Sequence, residues 1–261
     1  MSNEPNYPVK ALARALSILE ALLQHHSPLS ITQLSQRLGL YPSSVHRMVD
    51  TLKYWGLVEQ LPHSQEYTLG LKVVQLGMAK LHQMSVFNEA RPLLEKLCEQ
   101  FNETVNLGVL DHEQVVYLDK YESTRIVKAI LYPGRRAPIY CTAIGKVLLA
   151  FQKNEQRKAI IKQLKLKKYT QNTITNKKIL VQELAKIRYL GYAFDYGEQV
   201  EEVNCIAAPV FNVYGNVMAA LSVSVPVFRI NKGKKQKIIY ACQQTAQKIS
   251  LRLGYQPQKI K

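Results

Sequence analysis

The stretch from Val9 to Leu69 constrains this chain most, because it holds three short apolar-periodic segments separated by strong turn and capping signals. Leu12, Leu16, Leu19 and Leu23 recur at three- and four-residue intervals, which predicts an amphipathic helix from Val9 to about His25, with Pro28 beyond its end. Ser30 followed by Gln33 has the capping-box spacing: the Ser hydroxyl accepts the third helical N–H while Gln33 reaches back. A second helix therefore begins at Ile31 and buries Ile31, Leu34 and Leu38. Gly39 supplies the tight turn. A third helix starts at Pro42, a residue tolerated at the first helical position because that N–H has no intrahelical partner.

On the third helix Val45, Met48, Val49 and Leu52 share one side, leaving Ser43, Ser44, His46, Arg47, Asp50, Thr51 and Tyr54 on the other. That outer face suits a DNA groove, since short hydroxyls bond phosphates or base edges, Arg47 reaches guanine or phosphate, and a helix N-terminus favours an anion. A plain helical bundle shows the same polar face, and the three-helix pattern alone does not separate the two readings. Gly56 then ends the helix, and residues 57–60 and 67–69 read as two short strands around a polar turn at 62–66. A helix-turn-helix followed by a hairpin is the winged variant, whose third helix enters the major groove while the hairpin touches the adjacent backbone.

The net charge of +16 also invites a nucleic-acid reading, but its distribution complicates it. Residues 1–87 carry seven basic and five acidic side chains, whereas 153–188 carry eleven and two, and 228–261 carry nine and none. The excess lies outside the segment assigned to DNA reading, where a solvated basic face is its commoner meaning. No apolar run approaches the roughly 18 to 20 residues of a membrane span, and the N-terminus has no secretory pattern, so the expected location is cytoplasmic. Cys98, Cys141, Cys205 and Cys242 lie far apart and form no C-x-x-C pair, which speaks against a disulfide framework or a zinc ribbon.

Beyond Gly70, the spacing of Leu71, Val74, Met78 and Leu81 predicts a linker helix over 71–86. Its stripe suits a second copy of the chain, because a dimer matches a palindromic operator. The reader is thus placed at 1–70 and a second, α+β domain at 87–261. That domain is expected to hold a helix over 91–102, strands near 105–110 and 114–121, paired central strands at 206–211 and 217–225, and a closing helix over 234–253 with Ile238, Cys242, Ala246 and Ile249 inward. The tail beyond 253 is expected to be loose.

These segments carry a resemblance. ALARALSILE at 11–20, SSVHR at 43–47 and YTLG at 67–70 resemble the N-terminal signature of IclR-type transcriptional regulators, and TAIGKVLLA at 142–150, GYAFD at 191–195, CIAAPVF at 205–211 and ALSVS at 220–224 resemble their effector domain. The similarity spans roughly residues 9–255. It implies DNA contact by Ser43, Ser44, His46 and Arg47, with Arg14 on the first helix and Thr51 as further candidates. The family's recognition helix usually opens with Lys or another polar residue where this chain has Tyr41 and Pro42, which removes one basic phosphate contact. The resemblance also implies a GAF-like sheet with a small pocket closed by loops around 130–145 and 195–205. Residues 135–146, RRAPIYCTAIGK, are most similar to the branch that senses sugar acids such as ketodeoxygluconate.

A small carboxylate in a dry cavity needs N–H groups, hydroxyls and a cation. Thr142, Ala143, Ile144 and Gly145 can open a helix whose N–H groups meet an anion, and Ser222 and Ser224 put two hydroxyls on one sheet face. Asp195 and Cys205 align with family pocket positions, Asp195 suiting a ligand hydroxyl; Arg135 and Arg136 are weaker candidates for holding the acid. Catalysis is disfavoured, since no histidine follows His112 to serve Cys205, and neither a P-loop, a dinucleotide glycine cluster nor HExxH occurs. Cys141 and Cys205 alone make a poor metal site, so neither cofactor nor metal is expected. A single-strand binder is disfavoured because Tyr169 stands alone among the basic residues near it. The expectation is a homodimer or dimer of dimers on double-stranded operator DNA, a repressor released by a sugar or keto acid; the alternative is an activator of aromatic-acid or other carbon-source genes with the same architecture.

Overall fold

The computed structural model describes residues 9–25, 27–128 and 132–256. The chain divides into two compact units, 1–83 and 84–261. In the first, α1 (Lys10–His25), α2 (Ile31–Leu38) and α3 (Pro42–Tyr54) enclose a small core of Ile18, Leu22, Leu34, Val45, Val49 and Leu52, closed by Leu29, Val58 and Tyr67. The strands β1 (Leu29–Ser30), β2 (Val58–Gln60) and β3 (Glu66–Leu69) form an antiparallel sheet in the order β1-β3-β2. The hairpin was legible; β1 was not, because two residues are too few to show alternation.

Local chemistry sets the α2–α3 corner. The Ser30 hydroxyl accepts from Gln33 N at 3.3 Å while Gln33 Oε1 accepts from Ser30 N at 2.8 Å, the reciprocal capping box. Gly39 ends α2 at φ +63°, a left-handed conformation in which a side chain would be strained. The expected stripe on α1 needs correction. Ile18 and Leu22 are its buried residues, whereas Leu12, Leu16 and Leu23 are more than half exposed. A core built by three short helices reaches only a narrow strip of each, and it takes Ile18 and Leu22 instead of the more numerous leucines.

The linker helix also differs from expectation. Helix α4 (Leu71–His82) stops four residues short of the expected end, and α5 (Ser85–Phe101) starts after Met84, six residues before the expected Arg91. Pro92, the second residue of the expected helix, lies inside α5. No residue of α4 is buried, and Leu71, Val74, Leu76 and Met78 are exposed.

The second unit is a six-stranded antiparallel sheet flanked by helices. Its strands are β4 (Thr104–Asp111), β5 (Gln114–Tyr121), β6 (Arg136–Pro138), β7 (Ala193–Tyr196), β8 (Val203–Phe211) and β9 (Val217–Pro226), ordered β6-β5-β4-β9-β8-β7. Helix α6 (Ala143–Ala150), backed by α8 (Lys177–Leu190), packs on the face that carries Val115, Tyr117, Ala207 and Ala220. Alternation along each strand turns Ile206 and Val223 the other way, under α5 and the closing helix α9 (Lys232–Arg252). The expected inward stripe of α9, Ile238, Cys242, Ala246 and Ile249, is buried. Helices α7 (Asn154–Gln163) and α8 occupy the basic stretch for which periodicity predicted no element. The expected loose tail falls largely on residues 257–261, outside the described residues, as do residues 130 and 131 of one expected closing loop.

Candidate functional sites

Helix α3 presents Ser43, His46, Arg47, Asp50 and Thr51 to solvent, with Ser44 half-buried, while Val45 and Val49 hold the opposite side in the core. His46 Nδ1 lies 3.1 Å from Asp50 one turn on, and the Thr51 hydroxyl donates to Arg47 O at 2.9 Å. Thr51 therefore spends its proton within the helix, whereas Ser43 and Arg47 keep theirs for a partner. Arg14 is exposed on α1. The hairpin after α3 is pinned by Gly70, whose N–H donates to Leu57 O at 2.9 Å and where a Cβ would come within 2.3 Å of Gly56 O.

In the second unit a cavity of about 310 Å³ opens on the sheet face beneath the start of α6. Strand register builds its polar floor. Asp195 on β7 pairs with Cys205 on β8, which pairs with Ser224 on β9, and Ser222 lies two residues back on the same face. All four line the cavity. Cys205 Sγ lies 3.3 Å from Ser224 Oγ, and the fully buried Asn106 of β4 donates from Nδ2 to the same hydroxyl at 3.2 Å. With that lone pair occupied, Ser224 retains its proton for Cys205 or for a guest. Tyr117 of β5 lines the cavity, Lys128 and Arg135 come from the β5–β6 connection, and Gln199, Val200 and Val203 from the β7–β8 connection.

The start of α6 supplies a third wall. Thr142, Ala143 and Ile144 line the cavity, and the Thr142 side chain caps the helix by accepting from Gly145 N at 3.1 Å. Two expected residues are thereby corrected. Gly145 does not line the cavity, because its N–H is spent on Thr142, and its lack of a side chain lets the helix approach Ile139, whose carbonyl oxygen a Cβ would meet at 2.3 Å. Arg136 turns away on β6, where it pairs with Asp111 and Gln114 at the edge of the sheet, so of the two loop arginines only Arg135 lines the cavity.

Electrostatics separate the groups further. Burial pushes the Asp195 carboxyl up to about 7, against the pull of the Glu198 N–H that donates to it at 2.7 Å. Burial likewise pushes the Cys205 thiol up to about 12, a thiol and not a nucleophilic thiolate at neutral pH. Behind the wall, Lys146 is buried, donates to Phe194 O at 2.9 Å and pairs with Glu198, whose backbone in turn holds Asp195. Sequence reading missed Lys146, Asn106, Tyr117 and Lys128. Only the strand register shows that Asn106 faces Ser222, and a lysine inside an apolar helix gives no sign of its buried partner. His112 stands exposed in the β4–β5 turn at φ +56°, paired with Asp111. Among the described residues no group of three or more His, Cys, Asp and Glu is placed to hold a metal ion, and no helix is long and apolar enough to cross a membrane.

Comparison with known proteins yields two family matches: the IclR helix-turn-helix domain over residues 11–62, and the Bacterial transcriptional regulator IclR C-terminal over residues 78–251. The HTH-type transcriptional regulator KdgR of Escherichia coli (strain K12) is 36% identical over 247 residues, covering 95% of this chain and 94% of that protein. The HTH-type transcriptional regulator BhcR of Paracoccus denitrificans (strain Pd 1222) is 35% identical over 251 residues, covering 96% and 89%. Among solved structures, the Thermotoga maritima IclR superposes with a TM-score of 0.80 at 28% identity, over 95% of this chain and 100% of that one.

Proposed function

Because the chain belongs to the IclR family of bacterial transcriptional regulators, a family of DNA-binding proteins and not of enzymes, we propose that it is a repressor of sugar-acid catabolic genes whose operator affinity is set by a small hydroxylated carboxylate in the cavity of residues 84–261. The observation that supports this is the mixed chemistry of the cavity lining. Asp195, Ser222 and Ser224 suit the hydroxyls and keto group of a sugar acid, Arg135 and Lys128 suit its carboxylate, and Ile144, Val200 and Val203 add apolar lining. The resemblance of residues 135–146 to the ketodeoxygluconate branch, and the identity to KdgR, point to the same ligand class.

On the DNA side, Ser43, Ser44, His46 and Arg47 contact the major groove, with Arg14 on the backbone and Thr51 in a supporting place through its bond to the Arg47 carbonyl. The protein acts in the cytoplasm as a homodimer or dimer of dimers, and the exposed apolar stripe of α4 is one surface for that assembly. Ligand contacts favour one placement of the paired readers over another, which changes how well two third helices fit successive groove turns. The test is a thermal-shift screen against ketodeoxygluconate, other sugar acids, keto acids and aromatic acids, combined with two variants. Arg47→Ala should weaken operator binding and leave the ligand shift intact, and Ser222→Ala should do the reverse. Equal loss of both functions in each variant, or a shift with aromatic acids alone, refutes the assignment.

A further inference from the structure

Residues 153–188 hold eleven lysines and arginines against two carboxylates, and the structure shows how differently these cations are used from the others in the same unit. Elsewhere in the unit most are paired: nine of the fifteen other described lysines and arginines lie within 4.0 Å of a carboxylate oxygen. Arg229 and Lys234 close on the buried Glu103, Lys120 and Lys128 on Glu122, and Arg136 on Asp111. Even Lys235, on the second basic run, lies 3.8 Å over the ring of Phe194 and donates to the Tyr196 hydroxyl at 2.9 Å. Among the described residues no carboxylate oxygen comes within 4.0 Å of any of the eleven cations of 153–188. Ten of them are exposed. Arg157 and Arg188 are engaged by the carbonyl of Ala150 at the end of α6, but Lys158, Lys162, Lys165 and Lys178 point into solvent with no hydrogen bond from their ammonium groups.

A field of one sign on a single helix–loop–helix costs stability through self-repulsion, and that cost is offset when a polyanion supplies the missing charges. The first unit, which carries the groove-reading helix, has little charge of its own: residues 1–87 hold seven cations and five anions. Duplex affinity comes largely from neutralising phosphates and releasing their counterions, so the reader accounts for a small share of it. Once the reader holds an operator, duplex phosphate stands at high effective concentration near the rest of the same molecule. Of the eleven cations only Lys167 and Arg188 lie over a ring, Tyr169 and Phe151, and isolated ammonium groups match a phosphate backbone better than stacked bases. We propose that the α7–α8 face is a second, sequence-independent contact for the backbone of double-stranded DNA, and the inference rests on reading the chain as a duplex binder.

The experiment uses the full chain and a duplex selected by it from random DNA, in a short form and in a form lengthened by unrelated sequence on both flanks. The quadruple variant Lys158→Gln, Lys162→Gln, Lys165→Gln and Lys178→Gln touches no packed or hydrogen-bonded side chain, and a thermal midpoint no lower than the parent's certifies the fold. The logarithmic salt slope of binding to the long duplex should become shallower by up to about 3.6 per bound chain, at about 0.9 for each phosphate that the variant no longer neutralises. The affinity gained by lengthening the duplex should disappear in the variant. Identical salt slopes and identical length dependence in the two proteins overturn the proposal, leaving the face to solvent or to an acidic protein. Arg47→Ala is measured alongside. If it binds the selected duplex as tightly as the parent, the α3 assignment fails on its own, while the lysine comparison still decides this one.

Discussion

Replacing Asp195 by asparagine should remove a pH dependence from the stability of the second unit. The Asp195 side chain is 4% exposed, sits on β7 and accepts from Glu198 N at 2.7 Å. Burial pushes its carboxyl up to about 7, with the Glu198 charge adding to the rise and the backbone N–H bonds and Lys146 opposing it. In the unfolded chain an aspartate titrates near about 3.9. Between these values the folded protein holds a proton that the unfolded chain has released. The stabilising contribution is therefore fully present below about pH 4 and is lost as pH rises through about 7. One such proton gives a slope of at most about 1.4 kcal/mol per pH unit, or about 4 kcal/mol across the interval. The amide of Asp195→Asn would keep a carbonyl to accept from Glu198 and cannot ionise. Glu198 is also pushed up by burial, but it is present in both proteins, so their difference chiefly reports Asp195. Scanning calorimetry of the ligand-free full chain from about pH 5 to about pH 8 at fixed ionic strength should show the parent losing stability relative to Asp195→Asn, with the variant the more stable at the upper end. Parallel curves would falsify the claim that this carboxyl is held protonated by its surroundings.

Two further substitutions test the scaffold. Ser30→Ala removes one half of the capping box on α2 and should lower the stability of the first unit by about 1 kcal/mol, read as a shift in the midpoint of its transition with the other unit unmoved. Glu103→Gln leaves Arg229, Lys234 and Arg125 around a neutral buried group and should cost about 3 to 5 kcal/mol. Burial works to raise the Glu103 carboxyl, but the hydrogen bonds from Arg229 and Lys234 and their charges prevail and hold it below the usual range. Its contribution is thus present above the unfolded value and lost as pH falls through the folded one. The parent should lose stability on acidification more steeply than the variant, and equal acid titrations of the two would count against the pairing.

A few neighbouring residues settle much of the first unit. The Ser30–Gln33 box, Gly39, Pro42 and the apolar spacing of Val45, Val49 and Leu52 specify a helix, a left-handed turn and a second helix with one outward face, because each rests on contacts within about one helical turn. Alternation likewise placed Ser222 and Ser224 on one side of β9. Tertiary structure decided which stripe of α1 the core would accept, that Gly145 serves packing against Ile139 instead of a ligand, and that Lys146 is buried against Glu198, fifty-two positions away. It also decided that Asn106 orients a hydroxyl 118 positions away and that the cations of 153–188 stay unpaired while those around Glu103 do not. Burial and charge pairing depend on which distant segments arrive at the same place, and that is a property of sheet register and packing which no local window contains.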